Sequence, residues 1–156
     1  MPGKRRALQQ PDGDIGELAK QRVDDESQDN DVGLIQLGGA DWADAITGGN
    51  NNHLAMLQIG SGGTNNATST LDGNDNISVQ LQAGVGGSNT SNVHVYGGAN
   101  DNIVGTAQYS TGGGTNSAGV NVAGGSNNLA AVAQDATGGT NTANVAITGS
   151  SNNKFY

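Results

Sequence analysis

An Asn and a Gln recur six residues apart, five times over: Asn30 and Gln36, Asn52 and Gln58, Asn76 and Gln82, Asn102 and Gln108, Asn128 and Gln134. Successive Asn residues stand 22, 24, 26 and 26 positions apart, and Asn153 follows 25 later. A period of that length marks a solenoid or array, in which each unit buries its apolar face only against its neighbours. A second polar mark falls between the pairs: Asn65, Asn89, Asn116 and Asn141, each preceded by Thr or Ser, with Asp41 in that place in the first copy. The outer spacing varies while the Asn-to-Gln spacing does not.

Each repeat reads as two strands. In the second, one face carries Asn65, Ala67, Ser69 and Leu71, then Asn89, Ser91, Val93 and Val95, then Asn116, Ala118, Val120 and Val122, then Asn141, Ala143, Val145 and Ile147. That period of two is the mark of a half-buried strand, and the three-and-four spacing of a helix is absent. The first strand has apolar residues on both parities: Leu54 and Met56 in step with Asn52, but Ile77, Val79 and Leu81 out of step with Asn76. Either this strand is covered on both sides or its inward parity changes between copies. Gly-rich joints separate the strands, and Gly60, Gly63, Gly84, Gly87, Gly113, Gly114, Gly138 and Gly139 are the expected turn formers.

Two strands make no stable domain alone. Stacked repeats would pair each strand with its own copy about 4.8 Å away, giving two facing parallel sheets. Equivalent Asn and Gln side chains would then hydrogen-bond amide to amide along the stack, as in cross-β assemblies. The expected fold is an all-β solenoid over residues 30–156, built of five repeats and a terminal half repeat, behind a flexible charged tail or leader over 1–29. That leading segment holds five of the six basic residues and seven of the fourteen acidic ones.

Composition narrows the function. The net charge of −8 disfavours a nucleic-acid partner. No apolar run approaches the length of a membrane span, and the basic start has no apolar stretch behind it to complete a secretory signal. With no Cys, and with His53 and His94 on different strands, no metal site is expected. The turns Leu71–Asn76 and Gly97–Asn102 resemble calcium-binding turns only faintly, since those need a nine-residue repeat. No catalytic set or cofactor site recurs, so the chain reads as a non-enzyme without cofactors. Asp31, Asp41, Asp44, Asp72, Asp75, Asp101 and Asp135 face one base, Lys154, across the repeats. They read as exposed charges that repel along a stack and slow aggregation.

The run from Asn52 to Ala67, and that from Asn76 to Asn89, follow the pattern Asn-x5-Gln-x-Gly-x(1–2)-Gly-x-Asn. This resembles the curlin repeat, the unit of bacterial curli fibres, and the resemblance covers residues 30–156. Several features depart from it: Leu71, Val95, Val122 and Ile147 stand near the place of a second Gln, the first strand opens with Asn in place of Ser, the repeats are slightly longer, and the family's targeting segment is not recognisable in 1–29. The resemblance implies a subunit that polymerises with itself, head to tail, into an extracellular amyloid of the biofilm matrix at the cell surface. It also implies a nucleator subunit, a secretion pore and chaperones as further partners. The rival expectation is a monomeric β-solenoid such as an ice-binding or surface-adhesion module. The mixed outward residues Thr68, Thr70, Asn92, His94, Gly119, Asn121, Asn144 and Ala146 supply no regular Thr array for ordered water.

Overall fold

The computed structural model describes residues 29–38 and 40–156. The tail or leader expected over 1–29 falls outside them except for Asp29. The described chain runs through β1 (Asp31–Leu37), β2 (Ala40–Asn50), β3 (His53–Ser61), β4 (Thr64–Asn74), β5 (Ile77–Val85), β6 (Ser88–Asn100), β7 (Ile103–Thr111), β8 (Thr115–Ala123), β9 (Leu129–Thr137), β10 (Thr140–Thr148) and β11 (Lys154–Phe155). Odd strands form one sheet in the order β1-β3-β5-β7-β9-β11, and even strands form the other in the order β2-β4-β6-β8-β10. Every pairing is parallel. The fold is therefore a two-sheet β-solenoid of five rungs, each an odd strand and the even strand after it.

Register explains the spacing. Gln36, Gln58, Gln82, Gln108 and Gln134 lie over one another along the odd sheet. Asp41, Asn65, Asn89, Asn116 and Asn141 do the same along the even sheet. Extra residues are shed where they cost no pairing. Leu71 is matched with Val95 and Gly73 with Ala99, so the longer β6 bulges at Tyr96, Gly97 and Gly98.

The core is thin and made of small residues. From the even strands Ala67, Leu71, Val93, Val95, Val120 and Val122 are buried, and they face Leu54, Met56, Val104, Ala130 and Val132 of the odd strands. The hydroxyls that lie among them pair across the core. Ser69 bonds Ser78 at 3.1 Å, and Ser91 bonds Thr106 at 2.7 Å. The open question of the first strand has a single answer in every copy. The parity of Asn and Gln points inward, and the other parity stays outside. Nothing described covers that outer face: Ile59 and Leu81 are each 44% exposed.

Six of the eight expected turn glycines lie in the joints between strands, and Gly60 and Gly84 do not. Of the eight expected, only Gly113 and Gly138 have positive φ, at 80° and 64°; the left-handed places in the neighbouring joints belong to Gly62, Gly86 and Gly112. Gly60 and Gly84 are strand residues, in β3 and β5. Gly63, Gly87 and Gly114 are required by space instead, because a Cβ there would meet the backbone of the next rung at 2.4, 2.7 and 2.3 Å. Gly139 has neither constraint. Replacing Gly87 with Ala forces the rungs apart and should cost about 2 kcal/mol. Gly105, mid-strand in β7 with nothing within 4 Å of its missing Cβ, should accept Ala neutrally or with a gain of about 0.5 kcal/mol. Urea unfolding of the two variants distinguishes them.

Candidate functional site

An Asn or Gln buried between two sheets has both donors and its acceptor to satisfy, and an unmet group costs about 1–3 kcal/mol. Stacked copies of the same residue solve this. Gln36 donates to Gln58 at 2.6 Å, Gln58 to Gln82 at 2.8 Å, Gln82 to Gln108 at 2.9 Å and Gln108 to Gln134 at 2.8 Å. The second amide hydrogen of Gln58, Gln82, Gln108 and Gln134 goes to an even-strand carbonyl of the preceding rung: Trp42, Asn66, Thr90 and Ser117.

Two Asn columns run the other way. At the entrance to the odd strands, Asn76 donates to Asn52, Asn102 to Asn76, Asn128 to Asn102 and Asn153 to Asn128, at 2.9–3.1 Å. The Oδ1 atoms of Asn30, Asn52, Asn76, Asn102 and Asn128 each also accept the backbone N–H of the Asn one rung on. At the entrance to the even strands, Asn65 donates to Asp41, Asn89 to Asn65, Asn116 to Asn89 and Asn141 to Asn116. Each of these four also donates within its own rung, to the carbonyl of Ile59, Ala83, Tyr109 or Asp135. Gln donors thus point toward higher residue numbers and the Asn donors of these two columns toward lower ones, and the stack has a direction.

Two further sets of residues belong to this machinery and escaped the sequence reading. Asn50, Asn74 and Asn100 form a third column at the exit of the even strands, with bonds of 3.0–3.2 Å from Asn50 to Asn74 and 2.9–3.1 Å from Asn74 to Asn100. Directly before each Asn of the odd entrance, Asp29, Asn51, Asp75, Asp101, Asn127 and Asn152 hold φ of 53–63°. Asn and Asp tolerate this left-handed region better than other side-chain-bearing residues. Its signal in the sequence is an Asn or Asp before the ladder Asn in all six copies. Asp75 and Asp101 are thus turn residues as well as exposed charges, and Asp31, Asp72 and Asp135 are exposed too.

Asp41, by contrast, is not a surface charge. It is 6% exposed, at the head of the even-strand Asn column. Its Oδ1 accepts the Asn65 side-chain amide at 2.9 Å and the Asn65 backbone N–H at 3.2 Å. Its Oδ2 is buried with no partner among the described residues. Burial pushes the carboxyl above the ordinary value of 3.8, against the lowering pull of the two bonds from Asn65.

Among the described residues both ends of the even sheet are open edges, β2 at one and β10 at the other. On the odd sheet β1 is one edge, and β11 covers only Leu129 and Ala130 of β9 at the other. The outer face of the odd sheet forms a shallow apolar depression of about 410 Å³ lined by Leu57, Ile59, Leu81, Ala107, Tyr109 and Ala133, among others. Among the described residues, no three of His, Cys, Asp and Glu converge on a point.

No protein-family model matches the chain, and comparison with curated proteins and with solved structures finds no match.

Mid-stack ladder residues should matter more than terminal ones. Asn76→Ala strands the Asn102 amide and the Ala99 carbonyl in the interior and should cost about 3 kcal/mol or more; Asn153→Ala, at the half-buried end, should cost about 1 kcal/mol or less. Denaturant midpoints measure both. Asp41 adds a pH dependence. Folding favours its protonated form, so its contribution is full below the unfolded value of 3.8 and is lost as pH rises through the raised folded value. Asp41→Asn should remove that decline from the stability-against-pH curve.

Proposed function

We propose that this chain is the structural subunit of a self-assembling fibre, a curli-like amyloid that grows head to tail outside the cell as part of the biofilm matrix. One observation carries the reading: the side-chain columns run the length of the stack and stop at strands whose edges no other described strand covers in full. An open edge offers unpaired N–H and C=O groups to another chain. The rung the ladders call for at that edge is the first rung of the same sequence. When β2 of one copy lies on β10 of another, Gln134 of the lower copy can donate to Gln36 of the upper, repeating the bond that Gln108 makes to Gln134. The upper Gln36 can donate to the lower Thr142 carbonyl, the register counterpart of Ser117. The extracellular setting, the adhesive role, the nucleator and the secretion pore rest on the repeat resemblance alone.

One segment stands in the way. Lys154 and Phe155 lie on Leu129 and Ala130, where β1 of an incoming copy belongs, and Asn153 already caps Asn128. They must peel away for the joint to close, and a two-residue strand is weakly held.

Purified protein at neutral pH should give unbranched filaments with a meridional reflection near 4.7–4.8 Å, read by electron microscopy and fibre diffraction. Removing residues 153–156 should speed elongation several-fold, because it deletes the competitor for β9. A β-rich protein that stays monodisperse in sedimentation, in both forms, would rule the proposal out and favour a solitary binding solenoid.

A further inference from the structure

The even-strand Asn column needs a donor at one place where the chain supplies an acceptor. Every rung from Asn65 onward hands an amide hydrogen to the rung before it. Asn141 ends the column, and among the described residues no rung beyond it donates to its Oδ1. In a head-to-tail joint the residue that would do so is residue 41 of the next copy. An Asn there would continue the pattern. Asp41, when ionised, has only acceptors, and the oxygen standing where an Asn would carry its amide is the buried Oδ2 with no partner.

The same oxygen faces a second mismatch. Asn65 and its equivalents satisfy an odd-strand carbonyl in their own rung, Ile59 in the case of Asn65. Leu37 is the register counterpart of Ile59, so the matching acceptor beside Asp41 is the Leu37 carbonyl. The Gln column across the same joint is complementary and contains no titratable group.

We propose that Asp41 is a proton-operated latch on the joint between successive copies. As a carboxylate it sets oxygen against the Asn141 oxygen of the preceding copy and holds the joint open. As a carboxylic acid it supplies the missing donor and lets the joint close. The latch rests on the head-to-tail stacking proposed above and specifies its contact: β10 of one copy against β2 of the next, at the Asn141–residue 41 column.

Few other charges face Asp41 among the described residues. On its own strand, Asp44 belongs to the opposite parity. On the packed strands, Asp31 of β1 and His53 of β3 stand at the start of their strands, away from Leu37 and Ile59. Asp72 of β4 lies toward the far end of its strand, opposite Gly48. No cation among these residues neutralises the carboxylate. Desolvation favours its neutral form, and in the joint that desolvation becomes more complete.

The test is seeded elongation of the full chain between about pH 4 and pH 8, followed by thioflavin fluorescence and filament length in micrographs. Three proteins are compared: the natural chain, Asp41→Asn and Asp44→Asn. The last removes the same charge from the same strand outside the column. The natural chain should elongate fastest in acid and slow as pH rises. Asp41→Asn should elongate about tenfold faster than the natural chain at neutral pH and lack that step in the profile. Asp44→Asn should keep the natural profile. Superimposable profiles for the natural chain and Asp41→Asn would overturn the latch while leaving the stacking intact. Equal acceleration by Asp44→Asn would overturn it too, assigning the effect to net charge. Absence of filaments from all three at every pH would remove the stacking itself, and the latch with it.

Discussion

A buried primary amide stacked on its own copy is the interaction on which the rest of this structure depends. With two donors and an acceptor, an Asn or Gln between two sheets is costly unless every group is met. Along a parallel stack the next copy supplies the missing partner, and one remaining hydrogen reaches a backbone carbonyl, as Gln82 does with Gln108 and Asn66. That solution works only if equivalent residues sit in register. It therefore forbids insertions between Asn and Gln, leaves length changes to the arcs and to the β6 bulge, and selects parallel over antiparallel pairing. The thin core follows. The ladders hold register, so the interior can be filled by Ala, Val and Ser, and bulky side chains are not needed to define the fold.

Opposed columns give the stack polarity without net strain. Gln36 to Gln134 donates upward in residue number, as does the Asn50–Asn74–Asn100 column, while the Asn columns at the two strand entrances donate downward. Each terminal rung thus presents a fixed arrangement of donors and acceptors, and the two ends are complementary rather than alike. A chain with this property can extend in one orientation. Two identical ends brought together would set the Gln acceptors against each other at one edge and the Asn acceptors against each other at the other.

Much of this was legible because polar residues in a solenoid interior must recur. The constant Asn-to-Gln distance marked the columns, and the strict alternation of the even strands, as in Asn116, Ala118, Val120 and Val122, marked which side is buried. The odd strands resisted because hydrophobicity is a one-way indicator: Ile59, Val79 and Leu81 are exposed although apolar. Gly-rich joints misled for a related reason. Composition shows that a joint needs glycine, yet it does not separate a left-handed residue such as Gly86 from one such as Gly87 that is crowded by the next rung. The Asn and Asp of the opposite joints went unnoticed because their need is conformational, and a lone Asp75 or Asp101 has the composition of a solvated charge. Asp41 was placed in its column by spacing alone, but its burial depends on what packs over it, which a single sequence does not display.

The contacts that would bind one copy to the next are of the kind that hold one rung to the next. In a quasi-one-dimensional stack, stability is close to a sum of rung terms and nearest-neighbour terms. Joining two copies adds a nearest-neighbour term without a new kind of interaction. What separates a discrete solenoid from a growing one is then how the terminal rungs depart from the consensus. Here the departures are small. At one end a few residues, Asn153 to Phe155, occupy part of β9. At the other, Asp41 replaces an amide by a carboxyl, with the same shape and one hydrogen-bonding sense reversed. The change keeps the shape of the rung but not its energy: the single copy carries a buried Oδ2 without a partner among the described residues, and under the proposed stacking the same oxygen also bears on what can be placed upon the rung.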